Sequence, residues 1–404
     1  MIISKKSVIL ILISVFVLNT TAIIVYTYVP RYILNLGVSE PLMQLIITIF
    51  PLTAFVFPPI YGYLSDKTQN RYIFVLFGTI GLNIVFLFLF LFQNLILMVI
   101  LLFFFGFFMA SSNLLMTLFA ELVEDDKKLI SYYNAIIVMG WFVGAQSGGV
   151  FIDLYDIENI FLFNLILLLP TIIFVIFIRE NRSLILERYN NKKDQDTNNL
   201  IFNNPNIEKP ISQSIYYGLF FRNFSIKPIM PILAIIMSFH LGSDIAIGFL
   251  IGINFLLQFF QTLLIGHIIS IKNIKSFMII GYVLSAISIF GYIISNNFWS
   301  YLFFQFLVSF SYSMHWTATT IYIAQNTTPK NKGRYMGYAN SSVFSGSFAG
   351  GLFFSLLLTI NQDFYLSMYF LLIFPIISAI IIFLKFKVPE KITQNSKNWK
   401  GFGI

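Results

Sequence analysis

Residues 62–71 read Gly62-Tyr63-Leu64-Ser65-Asp66-Lys67-Thr68-Gln69-Asn70-Arg71, a short charged loop between two long apolar runs. A related stretch returns 204 residues later as Gly266-His267-Ile268, with Lys275 at the place of Arg71. Gly144, Gly148 and Gly149 match Gly346, Gly350 and Gly351 at an offset of 202. Both offsets are about half of the 404-residue chain. A chain that repeats itself at half its length is built from two similar halves.

The runs flanking these loops set the solvent. A membrane-spanning helix needs about 20 predominantly apolar residues. Uncharged runs of that order cover Val8–Val29, Pro41–Leu64, Tyr72–Phe92, Leu95–Ala120, Tyr132–Ile152 and Ile160–Ile178. A second set covers Pro228–Leu241, Ile245–Gly266, Ser276–Ser295, Phe298–Gln325, Tyr335–Ile360 and Phe364–Leu384. The seventh run is the shortest, with Lys227 placed at its first turn. The chain is 58% hydrophobic and 10% charged, against about 25% charged residues in soluble domains. The expectation is an all-α membrane protein of twelve transmembrane helices arranged as two six-helix pseudo-repeats.

Residues 1–178 then form an N-terminal lobe and 224–385 a C-terminal lobe. The stretch 179–223, rich in Asn, Lys, Asp and Gln with Pro205 and Pro210, reads as a polar cytoplasmic linker. Residues 386–404 read as a basic cytoplasmic tail. The first run follows Lys5 and Lys6, is too long for a signal-peptide core and lacks a small-residue cleavage site, so it is expected to be the first span.

The net charge of +8 is distributed by side. With the N-terminus inside, Arg31 is the only Lys or Arg in the outer loops, and the other 24 of the 25 basic residues lie inside. Glu40, Asp153, Asp156, Glu158, Asp244 and Asp363 fall outside. That asymmetry predicts a cell-membrane protein with both termini cytoplasmic, and it reads the basic residues as topology signals, with no nucleic-acid partner. The absence of cysteine excludes disulfides and thiolate metal sites. There is no metal-ligand spacing among the three histidines and no glycine-rich nucleotide loop, so no metal or other cofactor is expected.

The loop at 62–71 resembles the signature loop between helices two and three of the major facilitator superfamily. Gly62, Leu64, Asp66, Lys67 and Arg71 fit it, while Gln69 stands where the family usually has glycine and Asn70 where it often has a basic residue. The run Val29-Pro30-Arg31-Tyr32-Ile33-Leu34-Asn35-Leu36-Gly37 resembles the family's first outer loop. With the internal repeat, the resemblance covers nearly the whole chain. It implies that Asp66 docks near the start of helix eleven when the cytoplasmic side closes. Before helix eleven lie Lys330, Lys332 and Arg334, and before helix five lie Glu121, Glu124, Asp125 and Asp126. Two complementary cytoplasmic latches follow as an expectation: Asp66 with the basic cluster, and Lys272 or Lys275 with the acidic one. Solvated surface charge is the alternative.

Gly140, Gly144, Gly148 and Gly149 place small residues along one face of helix five, with Gly346 and Gly350 as counterparts on helix eleven. The spacing resembles the helix-five motif of drug–proton antiporters, although Ala145 stands where that motif has proline and Leu102 where helix four of that group has arginine. The stripe serves either helix packing or that chemistry.

No charged residue falls well inside any of the runs, so a proton relay of buried carboxylates is not evident. The ionisable group at depth is His315, beside Gln305, Tyr312, Trp316 and Thr319. The resemblance implies that helices one, four, seven and ten line a central cavity. Asn113, Gln305, His315 and Trp316 are then candidate substrate contacts, with Asn19 as a further one and Gln258 contributing from helix eight. For each, an interhelical hydrogen bond is the alternative.

The expected function is secondary active transport of a small neutral or amphipathic organic solute, by rocking of two lobes about a midplane site. The expected partners are that solute, the bilayer and a coupling proton or other ion, with the chain acting as a monomer. A non-transporting sensor or accessory of the same fold, a channel, and an intramembrane lipid-modifying enzyme are the alternatives. An enzyme would need paired carboxylates or a nucleophile–base pair at membrane depth, and the sequence offers neither.

Overall fold

The computed structural model describes residues 5–68, 70–123, 127–178, 211–270, 272–327 and 329–387. The rest of the expected linker, 179–210, and of the expected tail, 388–404, lies outside the described residues. Among the described residues twelve long helices follow one another and there is no strand.

In the first half these are α1 (Lys5–Asn35), α2 (Glu40–Thr68), α3 (Arg71–Leu91), α4 (Leu95–Ala110 continued by Asn113–Leu122), α5 (Lys127–Tyr155) and α6 (Ile160–Ile176). In the second they are α7 (Ser214–Ser238), α8 (Asp244–Ile268), α9 (Ile274–Ile294), α10 (Phe298–Asn326), α11 (Pro329–Asn361) and α12 (Phe364–Lys385). Eleven of them are long and apolar enough to cross a membrane. The twelfth, α10, is 29 residues long and more polar, carrying Gln305, His315 and a series of Ser and Thr.

Helix starts follow their caps. The side chains of Asn70, Asn94, Ser243 and Asn297 each accept a backbone N–H from the first turn of α3, α4, α8 and α10, satisfying donors that a helix N-terminus leaves open. Within each half the same partners pack: α1 with α5 and α6, α3 with α4 and α6, α2 with α4, and likewise α7 with α11 and α12, α9 with α10 and α12, α8 with α10. The internal repeat of the sequence is thus a repeat of packing. Large apolar side chains such as Ile96, Leu169, Leu264 and Phe383 cover the outside, the surface that a bilayer solvates and water does not.

One expected boundary is corrected. The sequence places the linker through residue 223 and the seventh helix at Pro228–Leu241, but α7 begins at Ser214 and ends at Ser238. Its first segment, Ser214–Ile229, includes Arg222 and Lys227, which interrupt the apolar run in sequence without interrupting the helix. Arg222 is buried, packed inward where lipid does not meet it. A count of uncharged residues reads such a charge as the end of a span. Consequently the expectation that no charge lies inside a span fails at these two residues.

Candidate functional site

The lobes meet through α5 with α8, α2 with α11, and α1 with the second half of α7. These contacts concentrate at the end that carries the α1–α2 and α7–α8 connections, here the loop end. Arg31 pairs with Asp244. Asp153, at the end of α5, accepts from the backbone N–H of Asp244 at 3.0 Å, and from Ser243 Oγ and the Ile245 N–H at 3.4 Å. A carboxylate of one lobe therefore caps the positive N-terminus of a helix in the other. Gly248 of α8 lies against the Ala145 carbonyl and the Tyr28 hydroxyl of the opposite lobe, and Ser355 donates to the Pro41 carbonyl at 2.7 Å.

The described hydrogen bonds and ion pair between the lobes fall at the loop end and at Tyr26–Lys227, and none of them lies at the opposite, splayed end, which carries the start of α1 and the end of α12. A Cβ at Gly62, Gly266 or Gly337 would meet nothing within 4 Å. Asp66 is 70% exposed and pairs with Arg71 of its own loop at 3.2 Å. Lys275 lies over the ring of Phe383, and Arg334 Nε donates to the Tyr338 hydroxyl at 2.8 Å. The residues Glu124–Asp126 and the side chains of Glu121, Lys330 and Lys332, named for the two latches, lie outside the described ones.

Between these ends the two halves enclose irregular backbone. Pro228 and Pro231 lack N–H groups, so in α7 the carbonyls of Phe224 and Lys227 lose their intrahelical donors. The backbone answers with a 3-10 turn at Met230–Ile232. Gly350 of α11 sits against the freed Phe224 carbonyl, where any side chain would collide. The freed Lys227 carbonyl takes a hydrogen bond from the Tyr26 hydroxyl of α1, across the lobe boundary, at 3.4 Å. Helix α2 breaks as well, at Thr48, one turn before Pro51. Irregular backbone at membrane depth is tolerated where it is buried in protein or lines a cavity.

Here it lines one. A cavity of about 210 Å³ lies between the lobes, walled mostly by apolar groups such as Ile47, Phe50, Pro231 and Phe344, with Gln44, Thr48, Lys227 and Ser347 among them. Gln44 is 1% exposed and its Oε1 has no hydrogen-bond partner. Lys227, fourteenth of the 25 residues of α7, is half-buried. No described carboxylate pairs with it.

The residues singled out from the sequence lie elsewhere or are already engaged. Asn19 Oδ1 accepts from Trp141 Nε1 at 3.0 Å, joining α1 to α5. Gln305 Oε1 accepts from Asn254 Nδ2 at 2.8 Å and from the Tyr292 hydroxyl at 3.2 Å, inside the C-terminal lobe. His315 is buried there too, between Tyr282 and Tyr312, with Nδ1 at 2.7 Å from the Ser311 carbonyl. Trp316 stacks on Tyr312. Asn113 is exposed at the break in α4 and bonds the Ala110 carbonyl at 3.0 Å, and Gln258 is half-buried on α8. Gly140 and Gly144 pack on α1, Gly148 and Gly149 reach Tyr28, and Gly346 packs on the Phe220 carbonyl of α7.

Arg222 belongs to the same interior, with Nε at 3.1 Å from Ser285 Oγ and the guanidinium over the Tyr312 ring. Sequence reasoning does not reach Arg222, Lys227 or Gln44. A signal for the first two is the 14-residue length of the expected seventh run, short of the roughly 20 that a span needs.

The Major Facilitator Superfamily profile matches residues 10–213 and 215–403. The chain belongs to the Major Facilitator Superfamily. Solved structures of this fold align over most of its length. A mutant of the nucleoside transporter NupG gives a TM-score of 0.76 at 11% identity, covering 94% of this chain and 100% of that one. A D-xylose–proton symporter gives 0.73 at 12%, covering 95% and 98%. A bacterial homolog of the human lysosomal transporter Spinster, inward-facing and unoccupied, gives 0.72 at 13%, covering 95% and 97%. No curated protein sequence matches the chain. Within the superfamily fold, the cavity at Lys227 sits between the two repeats.

Proposed function

We propose that this chain is a secondary active transporter, and not an enzyme, that moves a small organic solute through the inter-lobe cavity by alternating access. The observation that carries the reading is the asymmetry of the lobe boundary. It is closed by charge pairing and helix capping at the loop end, has no described cross-lobe hydrogen bond or ion pair at the other end, and holds between them a largely apolar cavity with Lys227, Gln44, Thr48 and Ser347 on its wall. Broken spans around a midplane site are a recurring transporter design, in which rocking of one repeat against the other exposes the site to each side in turn. The solved relatives are named as transporters of nucleosides and of D-xylose, the latter with protons. A coupling ion is compatible with that company.

By the distribution of Lys and Arg the splayed end faces the cytoplasm, so the described conformation is inward-open. The latches at Asp66 and Lys275 belong to the opposite, outward-open state. The Asp153 cap belongs to this one. Asp153→Ala is expected to raise the population open at the loop end by roughly 5-fold, since losing a helix cap costs about 1 kcal/mol. Because the chain has no cysteine of its own, an Ala145→Cys background reports this directly. Labelling by an impermeant maleimide from the loop side should accelerate by that factor. An unchanged rate would remove Asp153 from the closure.

A further inference from the structure

The inter-lobe cavity holds a charge that no described carboxylate balances. Along all twelve helices the interior positions include Arg222 and Lys227 but no Asp or Glu; acidic residues occur only at helix ends, as Glu40, Asp66, Glu121, Asp153 and Asp244 do. Arg222 is surrounded by neutral groups, namely Ser285, Asn223 and Tyr312. Arg31 and Arg71, in contrast, each meet a carboxylate. A guanidinium does not lose its proton in a protein, and cations at membrane depth are costly and mark solute or ion pathways. The field of this interior therefore favours an anion.

Three features narrow the class. Lys227 lines the cavity and has no described carboxylate partner, so an anionic occupant would supply the counter-charge that its ammonium lacks. Gln44 lines the same cavity from the other lobe, and its buried Oε1 lacks a donor. A halide or another anion without an O–H or N–H would leave that oxygen unsatisfied, at the cost that any buried unpaired acceptor carries. The volume of about 210 Å³ is below the range of roughly 300–1,000 Å³ found for pockets of drug-sized ligands, which favours a small occupant.

We propose that the solute is a small organic carboxylate bearing a hydroxyl or amino group, with its carboxylate on Lys227 and its donor on Gln44. The proposal rests on reading this cavity as the transport site. It replaces the neutral solute expected from the sequence, whose premise is a charge-free interior. The two anchors come from opposite lobes, α7 and α2, so such a solute bridges the boundary that must rearrange.

The test uses the full-length protein in detergent, with thermal unfolding followed in millimolar D-glycerate, L-lactate, acetate, glycerol or D-xylose. A compound that binds the folded state raises the melting temperature by mass action. Glycerate or lactate should raise it, acetate should raise it less, and glycerol and xylose should leave it unchanged. Lys227→Met should abolish the carboxylate shift, and its melting temperature without solute should equal or exceed that of the wild type. Lys227→Arg should keep part of the shift.

Stabilisation by xylose or glycerol and by no carboxylate would overturn the anion proposal while leaving transport intact. No shift with any of the carboxylates, or a full shift retained in Lys227→Met, would overturn it too. A fall of several degrees in solute-free Lys227→Met would mean that the ammonium has a protein partner, again against the proposal. Failure of the transport reading itself shows differently, as lobes that never exchange their open ends.

Discussion

Gly248→Leu is expected to abolish transport while both lobes stay folded. The glycine lies on α8, and the three atoms nearest to a Cβ there all belong to the other lobe: the Ala145 carbonyl at 2.5 Å, the Tyr28 hydroxyl at 2.8 Å and Gly149 Cα. Inserting a side chain into a packed interface costs about 1–3 kcal/mol and more where the obstacle is backbone. The Ala145 carbonyl is backbone and already accepts the Tyr28 hydroxyl at 2.8 Å, so it cannot swing away. The lobes can escape by separating at the loop end, which relieves the collision without disturbing either six-helix bundle. A penalty of about 3 kcal/mol displaces the equilibrium roughly a hundredfold. The variant should therefore express and purify like the wild type, label rapidly at Ala145→Cys from the loop side, and show no uptake in proteoliposomes. Normal uptake would show that closure at this end is not part of the cycle.

Gly350→Leu is expected to act on folding instead. Its neighbour is the Phe224 carbonyl of α7, within the same lobe, and the collision begins at Cβ, so Gly350→Ala should already be harmful. No rigid-body movement between lobes relieves it. Relief would require parting α7 from α11, a principal packing pair of the C-terminal lobe, or re-forming a carbonyl that Pro228 has left without its helical donor. Loss of several kcal/mol is expected, seen as aggregation on size-exclusion chromatography or a sharply lowered melting temperature. A folded, stable Gly350→Leu protein with impaired uptake would instead place Gly350 in the moving boundary. The two glycines thus separate what holds a lobe together from what holds the lobes to each other.

The fold is legible because lipid imposes long apolar spans, and eleven of the twelve runs coincide with helices that begin and end within a turn or two of them. The exception is informative. Arg222 and Lys227 lie on a helix whose first half is packed inside the lobe, and charge alone does not reveal which way a helical face points. The same limit governs the candidate contacts. Gln305, His315 and Asn19 are recognisable as polar groups at depth, but their partners Asn254, Ser311 and Trp141 come from tertiary packing or from the local turn, and these bonds hold helices together. Gln44 escapes a sequence reading because the helices expected to line the cavity are one, four, seven and ten, whereas α2 and α11 border this one. Arg31, Asp153 and Asp244 enter such a reading only as markers of sidedness. Their convergence, 213 residues apart for Arg31 and Asp244, is a product of the repeat folding back on itself.

The central claim is that the two ends of one lobe boundary open in alternation. Spin labels at Tyr63→Cys and Gly337→Cys span the splayed end, and labels at Tyr155→Cys and Ile245→Cys span the closed one; three of these sites are exposed apolar or aromatic positions and Gly337 faces open space. Distances measured by double electron–electron resonance in wild type, Asp153→Ala and Gly248→Leu should move in opposite directions. As the loop-end pair lengthens, the pair at the other end should shorten. Distances that stay fixed in all three proteins, or that lengthen together, would contradict alternating access and leave this chain a superfamily member that does not rock.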